Sequence, residues 1–373
     1  MKQDLLYDPS VFRVGCDYQI IFRTKTKGLG WVEIDGARYT DEECGLLKYG
    51  TVHKISVPGA ALDETKKYTV VFIEYKEKPP YFPKGVETVR EEYSFIPCEG
   101  EDFTLFQFAD THGAVITPLE AYRKFVESRG GRDADVIVLN GDINDSSDTV
   151  ECFDVSFALA GEAVHGGTRP VLYSRGNHDT RGHAAELLPD YIPTAFRGGR
   201  RETFYTFRLG SLWGIVLDCG EDKYDTNEEY GGTVYFDNFR RRETAYLESV
   251  LADAENECNA PGVTTRIALC HVPFVEHFKF PFDVCGEYYE KWTRILSEMN
   301  TDLLVCGHMH RAYFVQPHTE GYRDADFPTA VMSIPVHDEN GRRIYTGGAV
   351  VKENGERYAA IVSGGDVSEK LMF

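Results

Sequence analysis

The sequence has no apolar run long enough to cross a membrane, no Cys-x-x-Cys pair and no excess of positive charge. A membrane helix needs about 20 consecutive, mostly apolar residues. The first twenty positions contain Asp4, Asp8, Arg13 and Asp17, where a secretory signal peptide would need an apolar stretch. We therefore expect a protein without a membrane association and with a cytoplasmic location.

Cysteine is present without a pattern. The nine cysteines are an odd number and lie between Cys16 and Cys306 without regular spacing. Cys270 and Cys306 lie inside apolar runs, where a reduced thiol behaves as a small hydrophobic group. The sequence therefore predicts neither a disulfide framework nor a cysteine-based zinc site.

Positive charge is scarce, and the resulting negative charge is unevenly distributed. The chain has 40 Lys and Arg against 60 Asp and Glu, a formal charge of −20, of which residues 1–98 contribute −1 and residues 99–373 contribute −19. Binding to a nucleic acid depends on Lys and Arg side chains that neutralise phosphates and release counterions. We therefore expect a small substrate and no nucleic-acid partner.

The pattern of predicted elements divides the chain in two. From about Val11 to Cys98, short runs rich in β-branched and aromatic residues alternate with Gly, Pro and Asp, which predicts an all-β sandwich over residues 1–98. The Pro-rich run 78–83 is a predicted loop. Residues 99–373 instead alternate strands with helices; one predicted helix runs from Pro118 to Arg129, with Thr117 as its N-cap.

Five short polar motifs follow predicted strands of the second part. Asp, Asn and His offer the oxygen and nitrogen donors that divalent metals bind, and such residues gather at the carboxyl ends of strands in open α/β sheets. Each motif alone is weak evidence, but the five together predict a site for two metals. They are Asp110-Thr111-His112, Gly141-Asp142-Ile143-Asn144-Asp145, Gly176-Asn177-His178-Asp179, His271-Val272-Pro273 and Gly307-His308-Met309-His310.

The order and residue types of these motifs resemble those of the calcineurin-like metallophosphoesterases, over about residues 103–310. The resemblance implies an α/β (α+β) fold, a four-layer αββα sandwich of two mixed sheets flanked by helices, over residues 99–373. The β-rich first part resembles the fibronectin type III-like domain that precedes the catalytic domain in purple acid phosphatases. This second resemblance rests on the strand pattern and not on a motif.

The family resemblance also implies roles for the motif residues. Two divalent ions (Mn, Fe, Zn or similar) are expected, with Asp142 as the bridging ligand and a hydroxide on the metals as nucleophile. The expected ligands of one ion are Asp110, His112 and His310, and those of the other are Asn177, His271 and His308.

Further residues are expected to act on the substrate. By resemblance His178 protonates the leaving oxygen, and the Asp145 side chain holds His178 in the correct tautomer. The loop residues Arg175, Arg181 and His183 are candidates for binding phosphate oxygens, with solvated loop residues as the alternative interpretation. Purple acid phosphatases have a Tyr at the position of Asp145, so we expect no purple ferric centre here.

The expected activity is metal-dependent hydrolysis of a small phosphate ester, with a phosphomonoesterase favoured. A phosphodiesterase or nucleotide pyrophosphatase is the alternative, because the same metal pair serves both reactions. A non-catalytic binding module is a further alternative, although none of the expected ligands is missing from the sequence. The oligomeric state and the identity of the metals are left open.

Overall fold

The computed structural model describes residues 4–77, 81–82, 84–163, 166–279, 282–283, 286–333, 336–337, 343–344, 346–363 and 366–373. Most of the predicted loop 78–83 lies outside the described residues.

The N-terminal part is rich in strands, as predicted. Its elements are β1 (Ser10–Val14), β2 (Asp17–Ile34), β3 (Ala37–Thr40), β4 (Glu42–Glu43), β5 (Leu46–Leu47), β6 (Tyr49–Val57), the short helix α1 (Gly59–Thr65), β7 (Lys67–Glu77) and β8 (Lys84–Ser94). The long strand β2 pairs through its first half with β1 and β6, and through its second half with β3 and β7. The two halves meet at a register shift between Arg23 and Gly28 and bury a common core that includes Phe22, Val32 and Phe72.

The remaining elements alternate strands with helices before ending in antiparallel strands. They are β9 (Phe103–Phe108), α2 (Ile116–Ser128), β10 (Val136–Asn140), α3 (Asp154–Ala163), β11 (Pro170–Ser174), β12 (Ala195–Arg197), β13 (Arg200–Glu202), β14 (Tyr205–Leu209), β15 (Leu212–Leu217), α4 (Phe236–Ala252), β16 (Thr265–Cys270), α5 (Gly286–Glu298), β17 (Leu303–Cys306), β18 (Ala312–Val315), β19 (Thr329–Met332), β20 (Val336–His337), β21 (Arg343–Ile344), β22 (Thr346–Glu353), β23 (Glu356–Ser363) and β24 (Asp366–Met372). Among the described residues, no helix combines the length and the apolar character that a membrane crossing requires.

Two large sheets form the centre of the molecule. The first has the order β24-β23-β22-β9-β10-β11-β1-β2-β7-β8, and β3 and β6 also pair with β2. The second has the order β14-β15-β16-β17-β19-β18. Strands β9, β10 and β11 are parallel to one another, as are β15, β16 and β17. Their carboxyl ends therefore open on the same edge of each sheet.

Side-chain alternation along these strands produces four layers. On β10, Val136 and Val138 belong to the core between the two sheets, whereas Ile137 and Leu139 pack in the core that contains α2 and α3. On β16, Cys270 lies in the opposite outer core with α4 and α5, and so does Cys306 of β17. Because successive strand residues point to opposite faces, each sheet buries one face on the other sheet and one on helices. The predicted αββα fold is confirmed.

The N-terminal strands continue the first sheet. Strand β1 pairs in parallel with β11, with Val11 opposite Pro170 and Phe12 opposite Val171, and β1 is in turn antiparallel to β2. This pairing is not apparent from the sequence, because it joins segments that lie more than 150 residues apart. The division into residues 1–98 and 99–373 stays a prediction.

The predicted start of helix α2 is wrong. The helix begins at Ile116, with Val115 as an N-cap that makes no side-chain capping bond, and ends at Ser128. Pro118 is thus its third residue, where a backbone N–H would have no intrahelical partner in any case. The proline therefore did not mark the first helical position.

Candidate metal centre

The motifs lie at the carboxyl ends of strands from both sheets. Asp110 follows β9, Asp142 follows β10 and Asn177 follows β11, while His271 follows β16 and His308 follows β17. The chain has to turn sharply at each of these points. At Gly176, a Cβ atom would lie 2.2 Å from the backbone nitrogen and from Oδ1 of Asp142, so this turn admits glycine alone without displacement of Asp142.

Five of the predicted ligands have a left-handed backbone. The φ angles lie between +45° and +70° at Asp110, His112, Asp142, His308 and His310. Such a conformation costs of order 1–3 kcal/mol for a residue other than glycine and persists only where the surrounding structure imposes it. Hydrogen bonds from the backbone nitrogens favour it here: His112 N donates to the backbone oxygen of Asp142 at 3.0 Å, and His308 N donates to the side-chain Oδ2 of Asp110 at 3.0 Å.

Six of the seven predicted ligands fall into two adjoining groups. Within each group the atoms all lie within 4.8 Å of one another; the groups are Asp110, His112 and His310, and Asp142, His271 and His308. His271 links the groups, because its Nε2 is 3.1 Å from Asp142 Oδ2 and 3.8 Å from Asp110 Oδ1. The seventh predicted ligand, Asn177, places its Oδ1 at 3.0 Å from His308 Nδ1.

The buried atoms of this cluster fit a pair of cations. Asp110 and Asp142 are each 1% exposed. The Nε2 atom of His112 is buried and has no hydrogen-bond partner in the part of the chain that the structure describes. An unsatisfied buried polar atom destabilises the fold by about 1–3 kcal/mol, and a metal ion that accepts the Nε2 lone pair would remove that cost.

Burial and the neighbouring carboxylates shift the pKa values of the histidines in opposite directions. Burial alone would lower the pKa of His271, but the carboxylates of Asp142 and Asp110 raise it to about 10. Burial lowers the pKa of His308 to about 3 and that of His112 to about 4, so both are neutral imidazoles that can ligate a metal. Metal binding requires neutral histidine, so a cation at the site would replace the His271 proton.

Two neighbours fix the orientation of the predicted ligands. His271 Nδ1 donates to the Asn140 carbonyl oxygen at 2.8 Å, which leaves Nε2 facing the carboxylates. The fully buried carboxylate of Asp179 accepts from the backbone nitrogens of Asp142 at 3.1 Å and Gly176 at 2.9 Å, and so ties the loops after β10 and β11 together. This role of Asp179 was not predicted from the sequence, although Asp179 is the last residue of the Gly-Asn-His-Asp motif.

The Asp145 carboxylate lies between His178 and His112. His178 Nδ1 is 2.8 Å from the Asp145 backbone carbonyl oxygen and 3.9 Å from the carboxylate. The carboxylate is closer to His112, with 3.1 Å to its Nδ1. The hydrogen bond from His178 therefore goes to the Asp145 backbone, and a role of the Asp145 side chain toward His178 stays a prediction.

Of the three predicted phosphate-binding residues, Arg181 is the one in contact with His178. Its Nη1 lies 3.0 Å from His178 Nε2. Its Nε and Nη2 donate to Oε1 and Oε2 of Glu221 at 2.6 Å and 2.9 Å. Glu221 was missed from the sequence; the available signal was an acidic residue shortly after the carboxyl end of β15.

The other two predicted residues have different surroundings. Arg175 Nε lies 2.8 Å from Asp218 Oδ2, and its side chain lines a cavity of about 340 Å³ together with Arg200, Arg201 and Arg242. The side chain of His183 is 97% exposed and lies 3.7 Å from Asp148. Substrate binding by Arg175 or His183 stays a prediction.

Comparisons with known proteins agree with this geometry. A sequence model of the calcineurin-like phosphoesterases matches residues 103–312. The structure is similar to a purple acid phosphatase from yellow lupin (Lupinus luteus) seeds, with a TM-score of 0.64 and 12% identity over 98% of this chain and 73% of that one. A dimetal phosphatase from Danio rerio is less similar, with a TM-score of 0.47 and 13% identity over 74% of this chain and 99% of that one. No curated protein matches the sequence significantly.

Proposed function

The chain belongs to the calcineurin-like phosphoesterase family and is a metal-dependent phosphoester hydrolase, and from this premise we propose that it is a phosphomonoesterase acting on a small substrate. The observation that carries the choice of a monoester is the position of Arg181, whose guanidinium lies 3.0 Å from His178 Nε2. The terminal phosphate of a monoester is a dianion, and a guanidinium and an imidazole can contact its oxygens together.

The cofactor is a pair of divalent metal ions, for which manganese, iron and zinc are candidates. We assign Asp110, His112 and His310 to one ion, Asn177, His271 and His308 to the other, and Asp142 to both. When bound, the ions supply Lewis-acid stabilisation of the phosphoryl oxygens and lower the pKa of the attacking water.

Two protein side chains complete the reaction. His178 Nδ1 donates to the Asp145 carbonyl, and Nε2 accepts a hydrogen bond from Arg181 Nη1. We infer that the phosphoryl group enters between the two side chains, so that Arg181 Nη1 donates to a non-bridging phosphoryl oxygen and His178, in its imidazolium form, delivers the Nε2 proton to the leaving oxygen. In a diester that position would meet an esterified oxygen with less negative charge, and the contact would be weaker.

The test compares a nitrophenyl monoester with the bis-nitrophenyl diester after the protein has been stripped of metal and reloaded with Mn, Zn or Fe(II) separately. We expect a clear monoester preference, and we expect His178→Ala to lower kcat by about 100 to 10,000-fold with unchanged metal content. A diester preference would overturn the assignment in favour of a phosphodiesterase. An inactive wild type under every metal would instead favour a binding module.

A further inference from the structure

We propose that Glu221 is a positioning residue for this reaction, which aims the Arg181 guanidinium at the phosphoryl group beside His178. The inference rests on the proposed monoester hydrolysis. It concerns a residue that lies outside the five motifs, on the loop after strand β15 of the second sheet. The substrate it would select is a phosphate monoester with a free dianionic terminus.

The Arg181 guanidinium lies between the Glu221 carboxylate and the His178 imidazole. Glu221 receives the Nε and Nη2 edge of Arg181 at 2.6 Å and 2.9 Å, so the remaining Nη1 nitrogen is directed at His178 Nε2. The Glu221 side chain is 1% exposed, whereas that of Arg181 is 37% exposed. Glu221 is therefore fixed in the protein interior, and the Arg181 guanidinium that it holds reaches the open crevice.

Glu221 is itself fixed by its neighbours. Thr180 Oγ1 donates to its Oε1 at 3.2 Å, and the Tyr230 hydroxyl donates to its Oε2 at 3.3 Å. The fully buried Arg240 of α4 donates to the backbone carbonyls of Cys219, at 2.8 Å, and of Glu221. The loop thus cannot shift without breaking contacts with a helix of the outer layer.

This support matters because of how a guanidinium binds phosphate. An unsupported arginine samples many rotamers, while a bidentate carboxylate leaves it one orientation. A positioned donor accelerates a reaction through geometry, and a misplacement of about 1 Å can lower the rate about 100-fold. Loss of Glu221 should therefore affect turnover of a monoester through Arg181, although Glu221 itself never touches the substrate.

The experiment is a double-mutant cycle on the full-length, metal-loaded protein. We expect Glu221→Ala and Arg181→Ala each to lower kcat/KM for nitrophenyl phosphate by about 100-fold, and the double variant to lose no more than Arg181→Ala alone. The decrease in kcat/KM for the bis-nitrophenyl diester should be clearly smaller in all three variants. Calorimetric titration with inorganic phosphate should show the same non-additive weakening of binding, which gives a readout besides turnover.

The chain offers a matched control in a second buried Arg–Glu fork. Arg242 donates through Nε and Nη2 to Glu202 at 2.8 Å and 3.2 Å, and the Glu202 side chain is 4% exposed. Glu202→Ala removes the same kind of partner away from His178. We expect it to lower Tm about as much as Glu221→Ala while monoester turnover stays near the wild-type value.

Three outcomes would overturn the inference. These are additive losses in the double variant, equal losses on monoester and diester, or an equal loss of turnover in Glu202→Ala. An inactive wild type would instead refute the proposed function itself, and the phosphate titration would then still report whether Glu221 and Arg181 act together on an anion.

Discussion

The carboxylate of Asp145 lies 3.1 Å from His112 Nδ1, and this contact places Asp145 on the metal side of the site. A partner of this kind orients the imidazole, and its loss typically weakens metal affinity or activity by about 10 to 100-fold. Because the Asp145 side chain is 79% exposed, we expect Asp145→Asn to weaken metal affinity by about 10-fold, the low end of that range. The kcat at saturating metal should remain near the wild-type value.

Metal titration of the stripped protein, followed by turnover at saturating metal, checks this expectation. A fall in kcat comparable to that of His178→Ala, with unchanged metal affinity, would show that Asp145 acts through His178 after all.

Single residues differ in how far the sequence could predict them. The seven metal-ligand candidates stand in short motifs with fixed spacing, so they could be found without a structure. The role of Glu221 depends on its distance from Arg181, which lies 40 positions away in the chain. No local pattern encodes that distance, and for the same reason the contact between the Asp145 carboxylate and His112 was not predicted.

The turn after β11 has no room for a side chain at Gly176. A methyl group at Gly176 would meet Asp142 at 2.2 Å. We expect Gly176→Ala to lower the free energy of unfolding by about 1–3 kcal/mol, the usual effect of overpacking, and to reduce metal binding because Asp142 must move. Gly50→Ala is the matched control, since its nearest neighbour would be 3.6 Å away.

Urea unfolding of the metal-free variants, together with their metal content after reloading, measures both effects. Equal stability and full metal content in Gly176→Ala would show that the loop after β11 can shift away from Asp142.

Short buried strands are the elements that a local pattern marks most clearly. Strands Pro170–Ser174 and Leu303–Cys306 coincide with apolar runs in the sequence. The start of α2 was wrong because the sequence signal assumed that Pro118 occupies the first helical position. Strand β1 was found as part of a β-rich region, but its partner β11 was not, because pairing between distant segments leaves no local trace.

At the scale of the whole molecule, the pairing of β1 with β11 makes the first sheet continuous. A protein that begins at residue 99 would expose the edge of β11, and exposed edges of buried strands pair with other chains. We expect a fragment of residues 99–373 to aggregate or to melt well below the full chain. Light scattering and a thermal scan decide this, and a monodisperse fragment with the Tm of the full chain would contradict it.

The stability of the molecule should also fall at alkaline pH. Burial raises the pKa of the Cys98 thiol to about 12, whereas an unfolded chain releases this proton near pH 8.5. Between these values the folded state binds more protons than the unfolded state, so stability decreases as pH rises, by about 1.4 kcal/mol per pH unit for the one thiol.

Urea unfolding under reducing conditions at pH 8 and at pH 10, on wild type and Cys98→Ala, measures this slope. The variant should lose less stability than wild type over this interval, whereas Cys16→Ala, which removes an exposed thiol, should behave as wild type. Identical slopes in all three proteins would contradict the assignment.

Five candidate ligands have a left-handed backbone, which lowers the stability of the fold at residues that activity requires. Selection for stability and selection for activity therefore favour different residues at these positions. Glycine adopts such φ angles without strain, so replacing an exposed ligand candidate such as His310, at φ +49°, by glycine should make the metal-free protein more heat-resistant and leave it inactive. A laboratory evolution experiment that rewards thermal resistance alone, carried out without metal, would therefore admit glycine at this position as readily as at a strained turn elsewhere, such as Asn300 at φ +54°. Every round of such an experiment needs a screen for turnover, because some of the strained positions are those that the chemistry requires.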